Sequence, residues 1–257
     1  MCIRDRHPFQ FRFPVLFPVA PAPGFNYTHT TYFPDADPET NTVDGMVRRS
    51  AVDEAFGTVR SGAGTVVQDD LVNANVIINT SGTTNQFEQI ARGMALFNTA
   101  DIADTDTIDS ATCGFTAGGS FTGLVVSMSL TTSSPASNTS IATGDYADEV
   151  TNDMVKQATD IAVSSWDVGG VNYNTYTLNA TGLGNISVTG ISKFGIKVAN
   201  DVDNSAPTWG ASLAGGITVQ FAEQTGTAKD PKLVVTHSAA AVILGGIGYF
   251  GGGVTHF

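Results

Sequence analysis

Between Phe9 and Val19 the side chains alternate strictly. Phe9, Phe11, Phe13, Val15, Phe17 and Val19 are large and apolar, and Gln10, Arg12, Pro14, Leu16 and Pro18 fall between them. Period two over this length predicts a strand with one buried face. Pro14 and Pro18 lie on the other face and cannot donate to a ladder, which bars the strand from a normal sheet interior. It suits a groove, and no neighbouring segment pairs with it as a hairpin. The stretch Pro18 to Gly24 reads as a semi-rigid, polyproline-like linker of about 3.1 Å per residue, roughly 20 Å in all.

From Phe25 onward, short β-branched and aromatic runs recur between turn signals. Strands are predicted at Tyr27–Phe33, Val72–Asn79, Phe87–Phe97, Ala111–Phe115 and Phe121–Thr131, then at Tyr173–Leu178, Asn185–Val188, Lys193–Val198, Ile217–Glu223 and Lys232–His237. Residues 45–64 read as irregular, with room for a short strand or a helical turn. In Asp145–Asp160 the positions Val150, Met154, Val155 and Ala158 keep rough helical spacing, and two short edge strands are the alternative. Some ten short strands at this spacing predict an all-β chain, an antiparallel sandwich of jelly-roll type. The organisation is a 1–24 arm, a 25–237 sandwich and a 238–257 apolar, Gly-rich tail.

Both ends admit a second reading. Met1–Arg6 resembles translated sequencing adapter, and residues 7–25 are either an uncleaved arm or the remnant of a secretory signal. The stretch from Ser238 to Val254 is uncharged, but its six glycines make a poor spanning helix, so an extra strand or packed tail is expected over a membrane anchor.

Charge narrows the functions. The 257 residues carry 24 acids against 12 bases, a net charge of −12, with only 14% charged. Phosphate neutralisation needs clustered Lys and Arg, so nucleic acid is excluded as a partner. Low charge with abundant Thr, Ser, Asn and Gly is typical of β-rich surface proteins. Cys2 and Cys113 form no disulfide framework, and Cys113 reads as a buried, inert thiol.

Three segments carry a likeness to a known family. Tyr32-Phe33-Pro34-Asp35-Ala36-Asp37-Pro38-Glu39-Thr40-Asn41 resembles an opening strand and Pro-x-x-Asn loop. Arg92-Gly93-Met94-Ala95-Leu96-Phe97-Asn98, with Ile108-Asp109-Ser110-Ala111-Thr112, resembles two central strands. Phe221-Ala222-Glu223 and Asp230-Pro231-Lys232-Leu233-Val234-Val235-Thr236 resemble the closing ones. Together, residues 31–236 resemble the DNRLRE-type, carbohydrate-binding-module-like sandwiches of secreted and phage-borne surface proteins. The resemblance implies a β-sandwich and an extracellular, cell-surface or virion-surface setting. The family's Lys-Phe-Asp reads Leu96-Phe97-Asn98 here, and its paired central tryptophans are not evident, so no ligand site carries over.

Candidate chemistry is sparse. Trp166, Tyr173, Tyr176 and Trp209 would be the platforms of a glycan-binding surface, although sandwich-end caps are the expected role. Asp101, Asp104, Asp106 and Asp109 offer hard oxygen ligands for calcium, but without EF-hand spacing, so a solvated loop is expected. Five sequons, at Asn26, Asn79, Asn138, Asn179 and Asn185, mark glycosylation acceptors. His7, His29, His237 and His256 stand apart from any nucleophile motif, so no enzyme and no cofactor is expected. The expected function is a self-assembling fibre or appendage subunit whose Phe9–Val19 strand inserts into a neighbouring copy. A carbohydrate-binding adhesion module is the alternative.

Overall fold

The structure is a computed structural model and describes residues 27–240. The Phe9–Val19 strand, the linker, Asn26, His7, His256 and most of the tail lie outside the described residues.

Described residues form fourteen strands. They are β1 (Tyr27–Tyr32), β2 (Asp44–Arg49), β3 (Glu54–Ala55), β4 (Val66–Gln68), β5 (Asn73–Thr80), β6 (Gln86–Asn98) and β7 (Thr107–Phe115). After them come β8 (Ala117–Thr122), β9 (Ser127–Thr132), β10 (Ile161–Ala162), β11 (Asn174–Thr177), β12 (Ile191–Val198), β13 (Ala214–Gln220) and β14 (Lys232–Ser238). Four short helices interrupt them: α1 (Phe56–Ser61), α2 (Asp145–Asn152), α3 (Ala180–Gly184) and α4 (Ala199–Val202). Every strand pair is antiparallel. The fold is the all-β antiparallel sandwich that the patterning predicts.

One sheet has four strands in the order β1-β14-β7-β11. The larger sheet runs β10-β9-β12-β6-β5-β13-β8, with β2 and β3 also paired to β6 and β4 paired to β2. The chain passes from one sheet to the other at Thr116, whose buried hydroxyl donates to Gln220 Oε1 at 2.9 Å and to Lys229 O at 2.6 Å.

β6 is the pivot of the larger sheet. Ile90 pairs with Arg49 of β2 and Ile78 of β5, so those strands flank β6 on opposite sides. Gly93 likewise pairs with both Met46 of β2 and Ile196 of β12. β5 and β12 must therefore share one side of β6, each taking half of it, and the sheet forks there. A Cβ on Gly93 would sit 2.6 Å from Ile196 Cγ2 and 2.9 Å from Val76 Cγ2, so only glycine fits the fork. Flanked on both sides and covered on both faces, β6 is buried from Gln89 to Phe97. That explains why its sequence is nearly continuous in apolar residues rather than alternating.

Three predicted elements differ. The single strand expected over Phe121–Thr131 is two, β8 and β9, because the chain leaves the β13 ladder at Gly123–Val126 to join β12. Asn185–Val188 is no strand: it follows α3, which Asn179 caps by accepting the Gly182 N–H at 2.9 Å. The helix over Asp145–Asp160 stops at Asn152, and the remainder is extended, bridging Lys156 to Thr131 and Ala158 to Leu178. Asp145 anchors its start by accepting from Ala136 N and Ala142 N, and Asp145 and Asp148 favour the positive end of the helix.

Candidate functional site

The aromatic candidates separate. Trp166 and Tyr176 are core residues, 6% and 1% exposed, with ring centroids 6.3 Å apart, and the Tyr176 hydroxyl donates across the sandwich to Met128 O at 3.0 Å. Neither presents a face to solvent as a glycan platform would need to. Tyr173 is half-buried: its hydroxyl donates to Asp230 O at 2.9 Å, and Lys232 Nζ sits 3.7 Å from its ring centroid. Trp209, also half-buried, donates its indole N–H to Gln86 O at 3.0 Å.

The acidic loop is divided rather than gathered. Asp101 accepts from the Tyr32 hydroxyl at 2.7 Å, Asp106 pairs with His237 Nδ1 at 2.7 Å, and Asp104 and Asp109 are exposed. Among the described residues no group of three His, Cys, Asp or Glu could hold a metal ion. His237 Nε2 also lies 3.4 Å from Thr30 Oγ1, and His29 Nδ1 lies 2.9 Å from Thr236 Oγ1. The two Thr–His contacts run between β1 and β14 and serve as cross-strand pairs. The Cys113 thiol is fully buried, which pushes its pKa far up and leaves it inert.

Of the four described sequons, Asn79 is locked in β5 between β6 and β13, and Asn179 is spent on the α3 cap. The Asn185 amide donates to Lys193 O at 2.8 Å. Asn138 alone of the four is exposed with its side chain outside the hydrogen-bond network.

Two polar centres escaped the sequence reading. The first gathers Asp44 of β2, Glu223 and Asp230. Asp44 is fully buried; Oδ2 accepts the Ala222 N–H at 3.0 Å, and Oδ1 has no partner. Both Glu223 carboxylate oxygens and Asp230 Oδ1 are also buried without hydrogen bonds. None of these acids pairs with a cation among the described residues. Burial, followed by the charges of Glu223 and Asp230, raises Asp44 well above the usual carboxylate range. Burial and the neighbouring acids Glu39, Asp230 and Asp37 push Glu223 up to about 7, and burial alone pushes Asp230 up to about 6. Such a cluster holds protons at pH values where ordinary carboxylates have lost them.

The second centre is ionic and lies over β6 and β12. Arg92 is completely buried and clasps Asp201 with two bonds, Nε to Oδ2 at 2.7 Å and Nη2 to Oδ1 at 2.9 Å. Its guanidinium also donates to Tyr146 O and to Arg60 O, and stacks 3.9 Å from the Tyr146 ring centroid. Beside it, Lys197 Nζ lies 2.5 Å from Glu149 Oε2, both side chains dry. Together these contacts tie α1, α2 and α4 to the sheet. In the sequence Arg92 and Lys197 sit in strand patterns, and nothing local marks their partners on distant helices.

A cavity of about 390 Å³ opens where β8 hands over to β9, lined by Leu124, Val126 and Val163 on one side and by Asn200, Asp203 and Ser205 on the other. Val125 at its rim is 99% exposed.

These features define an antiparallel β-sandwich with an ionic core and an unpaired carboxylate cluster. No family model matches the chain, and no curated protein matches it.

Proposed function

We propose that this chain is a non-enzymatic structural subunit of a fibre or appendage, extracellular or on a cell or virion surface. Copies join head to tail, the Phe9–Val19 strand of one lying along the sandwich of the next. The observation that carries this reading is the strict apolar alternation of that stretch, which calls for a sheet groove. Support comes from β1, which follows the arm directly and comes first in the strand order of the four-stranded sheet, and the end of a sheet is where strand addition takes place. Head-to-tail contacts that do not close propagate into filaments. The resemblance of residues 31–236 to DNRLRE-type sandwiches agrees with a surface setting.

Negative-stain microscopy tests this. The full chain is expected to form filaments, and a chain lacking residues 1–22 is expected to form none. A monodisperse full-length monomer overturns the reading. The second reading, a carbohydrate-binding adhesion module, rests on the same resemblance and on Tyr173 and Trp209, which keep partial exposure. Glycan-array binding that Trp209→Ala abolishes, in a sample without filaments, would decide for it.

A further inference from the structure

The two dry ion pairs of the core are built differently. Arg92 meets Asp201 through two aligned charge-assisted hydrogen bonds. Lys197 and Glu149 are in contact, 0% and 1% exposed, yet Glu149 Oε2 has no aligned donor. An ammonium has three N–H groups. Those of Lys197 are directed at Thr131 Oγ1 (2.8 Å), Thr132 O (3.1 Å) and Asp153 O (2.6 Å). Lys197 thus touches the carboxyl at 2.5 Å while its three aligned hydrogen bonds go to other acceptors. The other oxygen, Oε1, is held by the Ser133 hydroxyl at 2.6 Å and the Ser134 N–H at 3.3 Å.

We propose that Lys197 and Glu149 condense to an intramolecular amide, Nζ to Cδ, which clamps α2 covalently to β12. Passing one ammonium proton to Oε2 leaves a neutral amine against a neutral carboxylic acid, which removes both charges from a water-free site. Burial already pushes the Glu149 carboxyl up despite the attraction of Lys197. The amine lone pair attacks Cδ while Ser133 and Ser134 stabilise the charge developing on Oε1. The intermediate expels Oε2, which takes a second proton from the nitrogen and leaves as water. The Nζ–Cδ bond forms, the Cδ–Oε2 bond breaks, and nothing is oxidised or reduced. The third proton stays on the amide nitrogen, facing Asp153 O. Thr131 Oγ1 already donates to Thr132 O at 2.8 Å, so those two groups keep a partner after the reaction. Fixed proximity of the reacting atoms supplies the driving advantage.

Intact-mass measurement and tryptic mapping of the full chain, denatured before digestion, test the clamp. The expected protein is one water lighter than its sequence. Its digest is expected to contain fragment 93–156 joined to fragment 194–229, with no cleavage after Lys197. Lys197→Arg is expected to return the mass to the sequence value. Should that variant fail to fold, the map of the unaltered chain still decides. A full sequence mass with free fragments 194–197 and 198–229 overturns the proposal, and the bond is then an ion pair only.

Discussion

Arg92 shows what a single residue does here. Its guanidinium has lost all water and uses four of its five N–H groups on Asp201, Tyr146 O and Arg60 O. Replacing it by Met keeps much of the side-chain volume but takes from Asp201, 1% exposed, the nearer of its two counter-charges. Arg60 then remains as a weaker partner, its Nε 3.3 Å from Asp201 Oδ1. Removing one member of a buried pair costs about 3–5 kcal/mol. Urea denaturation of Arg92→Met is expected to show a loss of that size, and Arg92→Met with Asp201→Leu is expected to recover part of it. Arg49, paired with Glu54 where both are partly exposed, contributes little by comparison.

At the scale of elements, the fork of β6 governs packing. At Gly93 the strands on both arms of the fork press toward the same point. Gly93→Val forces Ile196 and Val76 apart, and overpacking of this kind costs about 1–3 kcal/mol. Thermal denaturation followed by circular dichroism is expected to show the drop, whereas Gly57→Ala, where a Cβ meets nothing, is expected to leave the midpoint unchanged or slightly raised. The same elements show how far patterning reaches. Alternation at Leu124, Val126, Met128 and Leu130 is real, and all four are buried, yet the chain breaks between β8 and β9 within that run. Periodicity reports which face is buried and not which strand lies alongside. Arg92 and Lys197 were visible as strand residues, but the helices that receive them come from elsewhere in the chain.

For the molecule as a whole, the unpaired carboxylates set the response to pH. Glu223 and Asp230 titrate near 7 and 6 when folded, against about 4.3 and 3.9 when unfolded. Between roughly pH 4 and 7 the folded state therefore binds more protons, and stability falls as pH rises through that window, levelling above the folded values. Buried Asp44 acts in the same direction. Asp35 opposes it at lower pH: burial raises its pKa, but hydrogen bonds from Thr40, Asn41 and Thr42 outweigh this and lower it, so its contribution disappears only in stronger acid. Urea midpoints are expected to be highest on the acid side of neutral. Glu223→Gln with Asp230→Asn is expected to flatten the decline between pH 4 and 7, and an unchanged slope would remove these acids as its cause.

The fold class was legible from the sequence because burial on one face of a strand imposes period two locally. Ten short runs and their turns were enough for an antiparallel sandwich. The buried, inert Cys113 was equally readable from residue type and context, whereas Trp166, expected as a sandwich-end cap, is a core residue. Tertiary structure alone decided which strands pair, where the sheet forks, and which charges meet. Asp44 and the Ala222 N–H that holds it are 178 positions apart. No local pattern records such a contact, since an acid in a strand reads the same whether it faces water, a cation or other acids. Its environment is set by the chain folded over it, and so are the proton affinity of the carboxylate cluster and the contact between Lys197 and Glu149.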